Sequence, residues 1–250
     1  MPVVRAEADA TERAMARSLV YRFLSVALRP PEEVLAAVDP ARWQASLEAV
    51  RTVAGGAAAA LEAAMDACQR ADPSALSDDY QRTFGHQVGM TCPLYEAQYI
   101  PGGIFPQAQC LADVAGFYRA FGVEVDEGAR ERPDHVSLEL EFMHVLAYRE
   151  AYARVHHGPG EVALLQDAQR AFLRDHLARW VPSFARLVAQ RAGGPYRSLA
   201  SALAAWVTAE AEALGAGPVP EVDLAPSGGG EAPDAAPLPC GAGGCLLEPP

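Results

Sequence analysis

No lysine occurs anywhere in the chain; all 20 basic residues are arginine. That absence excludes Schiff-base lysine chemistry, a phosphate-binding loop with its lysine, and a Ser-x-x-Lys nucleophile. Positive charge is scarce overall, with 32 Asp and Glu giving a formal net charge of −12. Nucleic-acid phosphates need basic patches, so no nucleic-acid partner is expected. The acidic excess suits a soluble protein, or one that attracts a cationic partner. No stretch approaches the roughly 18 unbroken apolar residues of a membrane span. "MPVVRAEADATERAMARSLV" has no apolar run beside a basic start, so no secretory signal is expected. Five cysteines, an odd number in a chain of 250 residues, do not suggest a disulfide framework. These features together predict a cytoplasmic protein.

What is present reads as helix after helix. "TERAMARSLVYRFLSVAL" places Met15, Leu19, Phe23 and Ala27 at four-residue steps, with Thr11 and Glu12 as opening signals and Pro30-Pro31 as the stop. Helical segments are predicted for "PEEVLAAV", for Trp43 to Val50, for 57–70, and from Ser77 through Tyr80 and Phe84. Residues 86–104 mix glycine, proline and aromatics without a period, which predicts an ordered loop with at most one helical turn. A helix opening near Pro106 runs Leu111, Val114, Tyr118 and Phe121 down one face and stops at Gly122. A long helix is predicted from Asp134 to His157, and three more near 160–178, 182–191 and 196–214. No segment has a period of two. The fold class is therefore all-α: a single-domain helical bundle, 1–214, of roughly nine or ten helices. Residues 215–250 are rich in Gly, Pro and Ala, carry Cys240 and Cys245, and read as a disordered tail.

"PDHVSLELEFMHVL", 133–146, is helical in spacing yet rich in acids and imidazoles. Glu141 and His144 form one Glu-x-x-His, whereas a di-iron bundle needs two copies and two further glutamates. No His-Glu-x-x-His is present, and no metal site or cofactor is expected. Asp134 and His135 could be an acid–base pair, but adjacent residues at a helix start diverge. Asp134 reads better as the N-cap, with His135 exposed at the first helical position and Glu139 four residues on to pair with it. His156 and His157 suit a helix C-terminus. Cys240 and Cys245 supply half a zinc site. A third reading is a binding surface. "DDYQRTFGHQVGMTCPLYEAQY" combines Tyr80, Phe84, Pro93, Tyr95, Glu96 and Tyr99, and aromatic anchors ringed by acids suit a peptide with apolar and arginine residues. The same aromatics could equally pin the loop to the core.

Asp79-Tyr80-x-x-x-Phe84, then Cys92-Pro93-Leu94-Tyr95-Glu96-x-x-Tyr99, then "LADVAGFY" at 111–118, Phe121-Gly122-Val123, Pro133-Asp134-His135 and "ELEFM" at 139–143 resemble the TorD/DmsD family of redox-enzyme maturation chaperones. The likeness covers about residues 12–213. Thr83 stands where the family often has leucine, and "GHQVGM" where it often has Gly-Pro. The resemblance implies an all-helical, non-catalytic chaperone. Its partner would be the catalytic subunit of a molybdenum oxidoreductase, often engaged through a twin-arginine leader and held until the molybdopterin is inserted. The wording of 106–125 is closest to the branch serving dimethyl sulfide, ethylbenzene, selenate and chlorate enzymes. The implied partner-binding residues are Tyr80, Phe84, Pro93, Tyr95, Glu96, Tyr99, Asp134, His135, Glu139 and Glu141. The alternatives are a small metal-dependent helical enzyme using Glu141 and His144, and a helical scaffold that docks a partner through its tail.

Overall fold

The computed structural model describes residues 2–32, 40–53, 56–85, 92–126 and 131–217. Its helices are α1 Pro2–Ala27, α2 Pro40–Thr52, α3 Ala58–Arg70, α4 Pro73–Phe84, α5 Ile104–Ala120, α6 Val136–His156, α7 Pro159–Phe172, α8 Ala178–Arg191 and α9 Gly194–Ala213. A 3-10 turn spans Glu96–Tyr99 and a π turn, Leu173–Leu177, joins α7 to α8. Counted with that junction as one continuous helix, the described residues hold eight helices, slightly fewer than expected. No strand occurs among them, so the all-α expectation holds. Most of "PEEVLAAV" and all of 218–250, with Cys240 and Cys245, lie outside the described residues.

Several element bounds differ from the sequence reading for local reasons. Thr11 does not open α1. Its hydroxyl donates to the Glu7 carbonyl one turn back, so the helix runs on toward Pro2. α4 begins at Pro73 rather than Ser77, because Asp72 caps it by accepting the Ala75 N–H. Gly122 does stop α5, at φ +61°. The predicted break between 178 and 182 is absent. Pro182 sits inside α8, and the irregularity is moved upstream into the π turn, one turn before the ring. The last helix ends at Ala213, and the chain stays against the core for a further turn. Gly215 takes φ +67°, Ala216 donates its N–H to Ala211 O at 2.8 Å, and Ala216 is buried in the core.

α1 and α6 form the centre of the molecule and run antiparallel. Arg17 meets Glu150, Ser18 meets His144, and Ser25 donates to Ser137 O at 2.8 Å. Their facing residues Val20, Tyr21, Leu24, Leu140, Met143 and Leu146 are buried. α9 packs on α8 and α3, and α7 lies against α6. Aromatics knit these helices together: Phe142 stands 4.8 Å from Tyr118 and 4.9 Å from Phe172 between ring centroids, and Tyr21 meets Trp206 at 5.5 Å. One polar cluster crosses this core. Arg17 donates to Glu210 at 2.6 and 2.8 Å, to Glu150 at 3.1 Å and to Gln169 at 2.7 Å, tying α1 to α6, α7 and α9.

Candidate functional site

Two stretches distant in sequence meet beside the N-terminus of α6. Val136 N–H donates to Leu94 O at 2.8 Å and Glu96 N–H to Asp134 O at 2.9 Å, forming an isolated antiparallel bridge between Tyr95 and His135. Asp134 is fully buried at this junction. Its Oδ2 accepts the Ala97 N–H at 3.1 Å and an Arg132 N–H at 2.7 Å, while its Oδ1 accepts Arg132 Nε–H at 3.0 Å. Asp134 is therefore not the cap of α6, as its position suggested; its carboxylate fastens the 3-10 turn instead. The cap is His135, whose Nδ1 accepts the Ser137 N–H at 3.2 Å. His135 is not exposed either, at 2% accessibility. Burial lowers its pKa to about 4 against the opposing pull of Glu131 and Asp134, so the ring is neutral at pH 7. The Tyr95 ring lies edge-on to His135 at 5.1 Å and carries the Arg132 guanidinium 4.6 Å from its centroid. Its hydroxyl donates to Glu131, and burial followed by that carboxylate pushes the phenol pKa up.

Beneath the junction lies a second layer. Glu96, 2% accessible, turns inward and its Oε2 contacts His176 Nδ1 at 2.9 Å. Glu139 does not pair with His135. Its Oε2 accepts the Trp180 indole N–H at 3.1 Å, and its carboxyl faces that of Glu96. Burial first, then the Glu96 charge, pushes the Glu139 carboxyl well above the usual carboxylate range. Cys110 also reaches this point, its sulfur within 4.8 Å of a Glu96 oxygen and its pKa raised by burial.

The remaining predicted residues divide between pins and rim. Tyr99 is buried, donates its hydroxyl to Pro93 O at 2.9 Å and packs on Trp180 at 5.2 Å. Tyr80 is buried against Tyr196 at 5.7 Å, with half-buried Phe84 at 5.2 Å from both rings. Pro93 and Tyr95 are half-buried. Glu141 stands apart, ion-paired with Arg29 of the α1 end, and His144 Nδ1 meets Ser18 Oγ at 2.7 Å. α1 thus takes up both members of the Glu-x-x-His, and they form no centre together.

The model of the nitrate reductase delta subunit family matches residues 48–186, more than half the chain. The chain belongs to the nitrate reductase delta subunit family. That family is TorD-like, so the expectation drawn from the motifs is borne out. The perchlorate reductase assembly chaperone protein of Dechloromonas aromatica (strain RCB) is 29% identical over 179 residues, 68% of this chain and 77% of that protein. The selenate reductase assembly chaperone protein of Thauera selenatis is 34% identical over 125 residues, 50% of this chain and 62% of its own length. The chlorate reductase assembly chaperone protein of Ideonella dechloratans is 38% identical over 98 residues, 38% and 47% of the two chains.

In this delta-subunit-family chain, what faces outward is a rim of Tyr95, Glu131 and Arg132 and a cleft of about 770 Å³. Ile100, Gln109, Asp113, Phe117, Asp175 and Arg179 line the cleft, and Glu96, Cys110 and His176 reach it from below. Beside it stand Ile104 and Phe105, 82% and 89% exposed. Gly102 and Gly103, at φ +105° and +85°, turn the chain into α5 at this point, a backbone path closed to other residues. The sequence reading missed Arg132, Cys110, His176 and Trp180. Only Arg132 left a signal, two residues before Asp134. No helix among the described residues is long and apolar enough to cross a membrane.

Proposed function

We propose that the protein is a system-specific assembly chaperone for the catalytic subunit of a molybdenum oxidoreductase. It binds the immature subunit and assists cofactor insertion before export, without catalytic turnover of its own, in the cytoplasm. The observation that carries this reading is the family match over 48–186, joined to three relatives each named as a reductase assembly chaperone. Two of those relatives serve selenate and chlorate reductases, the branch to which the wording of 106–125 pointed.

The geometry is consistent with a peptide-binding role and alters which residues perform it. Asp134, His135, Glu139, Glu96 and Tyr99 are buried, so their part is to hold the 92–100 loop in shape, while Tyr80 is buried against Tyr196. The client-facing groups are Tyr95 and Arg132 on the rim, with half-buried Pro93 two residues before Tyr95. The cleft beside Ile104 and Phe105 offers apolar surface together with the Asp113 and Asp175 carboxylates. An apolar segment carrying arginines, such as a twin-arginine leader, matches that chemistry. Opposite charge adds to its approach and weakens with salt. Calorimetric titration of the client's leader peptide and of the apo-subunit, at low and high salt, tests the proposal. Binding that loosens as salt rises is expected; no binding to either ligand removes the chaperone reading.

A further inference from the structure

Three buried side chains from three separate elements converge at the floor of the cleft: Glu96 of the 3-10 turn, Cys110 of α5 and His176 of the π turn. One donor atom from each, a carboxylate oxygen, the sulfur and an imidazole nitrogen, lies within 4.8 Å of the other two. We infer that Glu96, Cys110 and His176 form a binding site for a divalent transition-metal ion of the zinc class.

The donor set chooses the metal. Magnesium and calcium take oxygen ligands only, whereas sulfur, imidazole and carboxylate together suit zinc or its cobalt(II) surrogate. Tetrahedral zinc with bonds of about 2.0–2.3 Å holds its ligands about 3.3–3.8 Å apart. The trio needs only a small contraction, and the Glu96–His176 contact, now 2.9 Å, a small expansion. The cleft supplies the path of entry, because all three residues line it.

Two further observations point the same way. Glu139 is wholly buried with its carboxyl facing Glu96, and its Oε1 has no hydrogen-bond partner. A buried oxygen without a geometric hydrogen-bond partner beside the trio marks the floor of the cleft as a place where a polar ligand finds a further acceptor. In addition, His176 comes from the π turn. That single widened turn departs from the α-helical register of the α7–α8 run, and such turns concentrate at functional sites.

The protons balance. The ion displaces the Cys110 thiol proton, which leaves to solvent. His176 ligates through Nδ1 with its proton on Nε2, a nitrogen that has no hydrogen-bond partner. Glu96, Cys110 and His176 then ligate, and water from the cleft fills the fourth position. The consequence would be a clasp binding the 3-10 turn, α5 and the π turn. Client binding plays no part in this inference, so the two stand or fall separately.

The test uses the full chain with Cys240→Ser and Cys245→Ser, which removes the tail thiols as competing ligands. Cobalt(II) is titrated while the thiolate-to-metal charge-transfer absorption is followed. One equivalent should give the band, Cys110→Ser should abolish it, and His176→Gln should weaken binding at least tenfold. Absence of the band, or a band that survives Cys110→Ser, overturns the site. Because Cys110→Ser alters the core, a second measurement keeps the chain otherwise intact. Zinc should slow alkylation of Cys110 and leave Cys68 unchanged, read by peptide mass. Equal rates with and without zinc also overturn it.

Discussion

Replacing Asp134 separates two roles that the same position could serve. As a helix cap, Asp134→Asn would be nearly silent, since Asn caps as well as Asp. The structure gives the carboxylate another task, and the magnitudes change accordingly. Asp134→Ala leaves the buried Ala97 N–H without an acceptor, at a cost of about 1–3 kcal/mol. It also ends the two-bond contact with Arg132, whose side chain is 46% exposed and can return to water, so that loss adds at most about 1 kcal/mol. The total is about 1–4 kcal/mol. Asp134→Asn can still accept from Ala97, but its amide places a donor against the guanidinium, so about 1–2 kcal/mol is expected. Urea unfolding of both variants and of Arg132→Ala, closed as a double-mutant cycle, measures these terms. A silent Asp134→Asn, or an Asp134→Ala cost below about 0.5 kcal/mol, would refute the assignment of the carboxylate to the 3-10 turn.

Three further outcomes are expected. His135 has a folded pKa lowered to about 4 from 6.5, so the unfolded chain takes up its proton first as pH falls. Its stability contribution is complete above pH 6.5 and is lost between pH 6.5 and 4, by about 3 kcal/mol. His135→Asn should flatten that slope in unfolding curves at pH 7 and pH 5. Arg17→Ala should cost about 3–5 kcal/mol by thermal unfolding, because Glu150 and Glu210 stay buried with their central cation gone. Phe105→Ser should leave the melting temperature within a degree or two, since the ring is exposed, yet weaken client binding in calorimetry by tenfold or more.

The helices were legible because their signals are local: a left-handed Gly122 and a four-residue apolar step. Even the irregular character of 86–104 could be read, and its described part does hold the 3-10 turn Glu96–Tyr99. The site was legible only as a set of residues, not as an arrangement. Asp134 has its decisive partner in Ala97, across the span of α5, and nothing near Asp134 announces it. His135 looked exposed because a histidine at a helix start usually is; the Tyr95 ring and the bridge bury it. Glu139 sits at the right spacing for His135, but the helix turns its carboxyl to Trp180, a residue on α8. Cys110 and His176 carried no motif at all, since their meeting depends on a cleft floor and a π turn that no periodicity encodes.

The bridge between Tyr95 and His135 has a topological meaning beyond its two hydrogen bonds. It brings together both ends of the excursion that carries α5, so the excursion is a loop drawn closed at its neck. Its length is tolerable, because closure entropy grows only slowly with the number of residues enclosed. The neck, however, is mostly polar, and its outermost groups are the Tyr95 phenol, Glu131 and the half-exposed Arg132. A ligand arriving at that rim therefore pulls on the drawstring itself. Loosening Arg132 from Tyr95 and Asp134 would slacken the neck while buried Val114 and Tyr118 keep α5 in the core, at a local cost below that of unfolding the molecule.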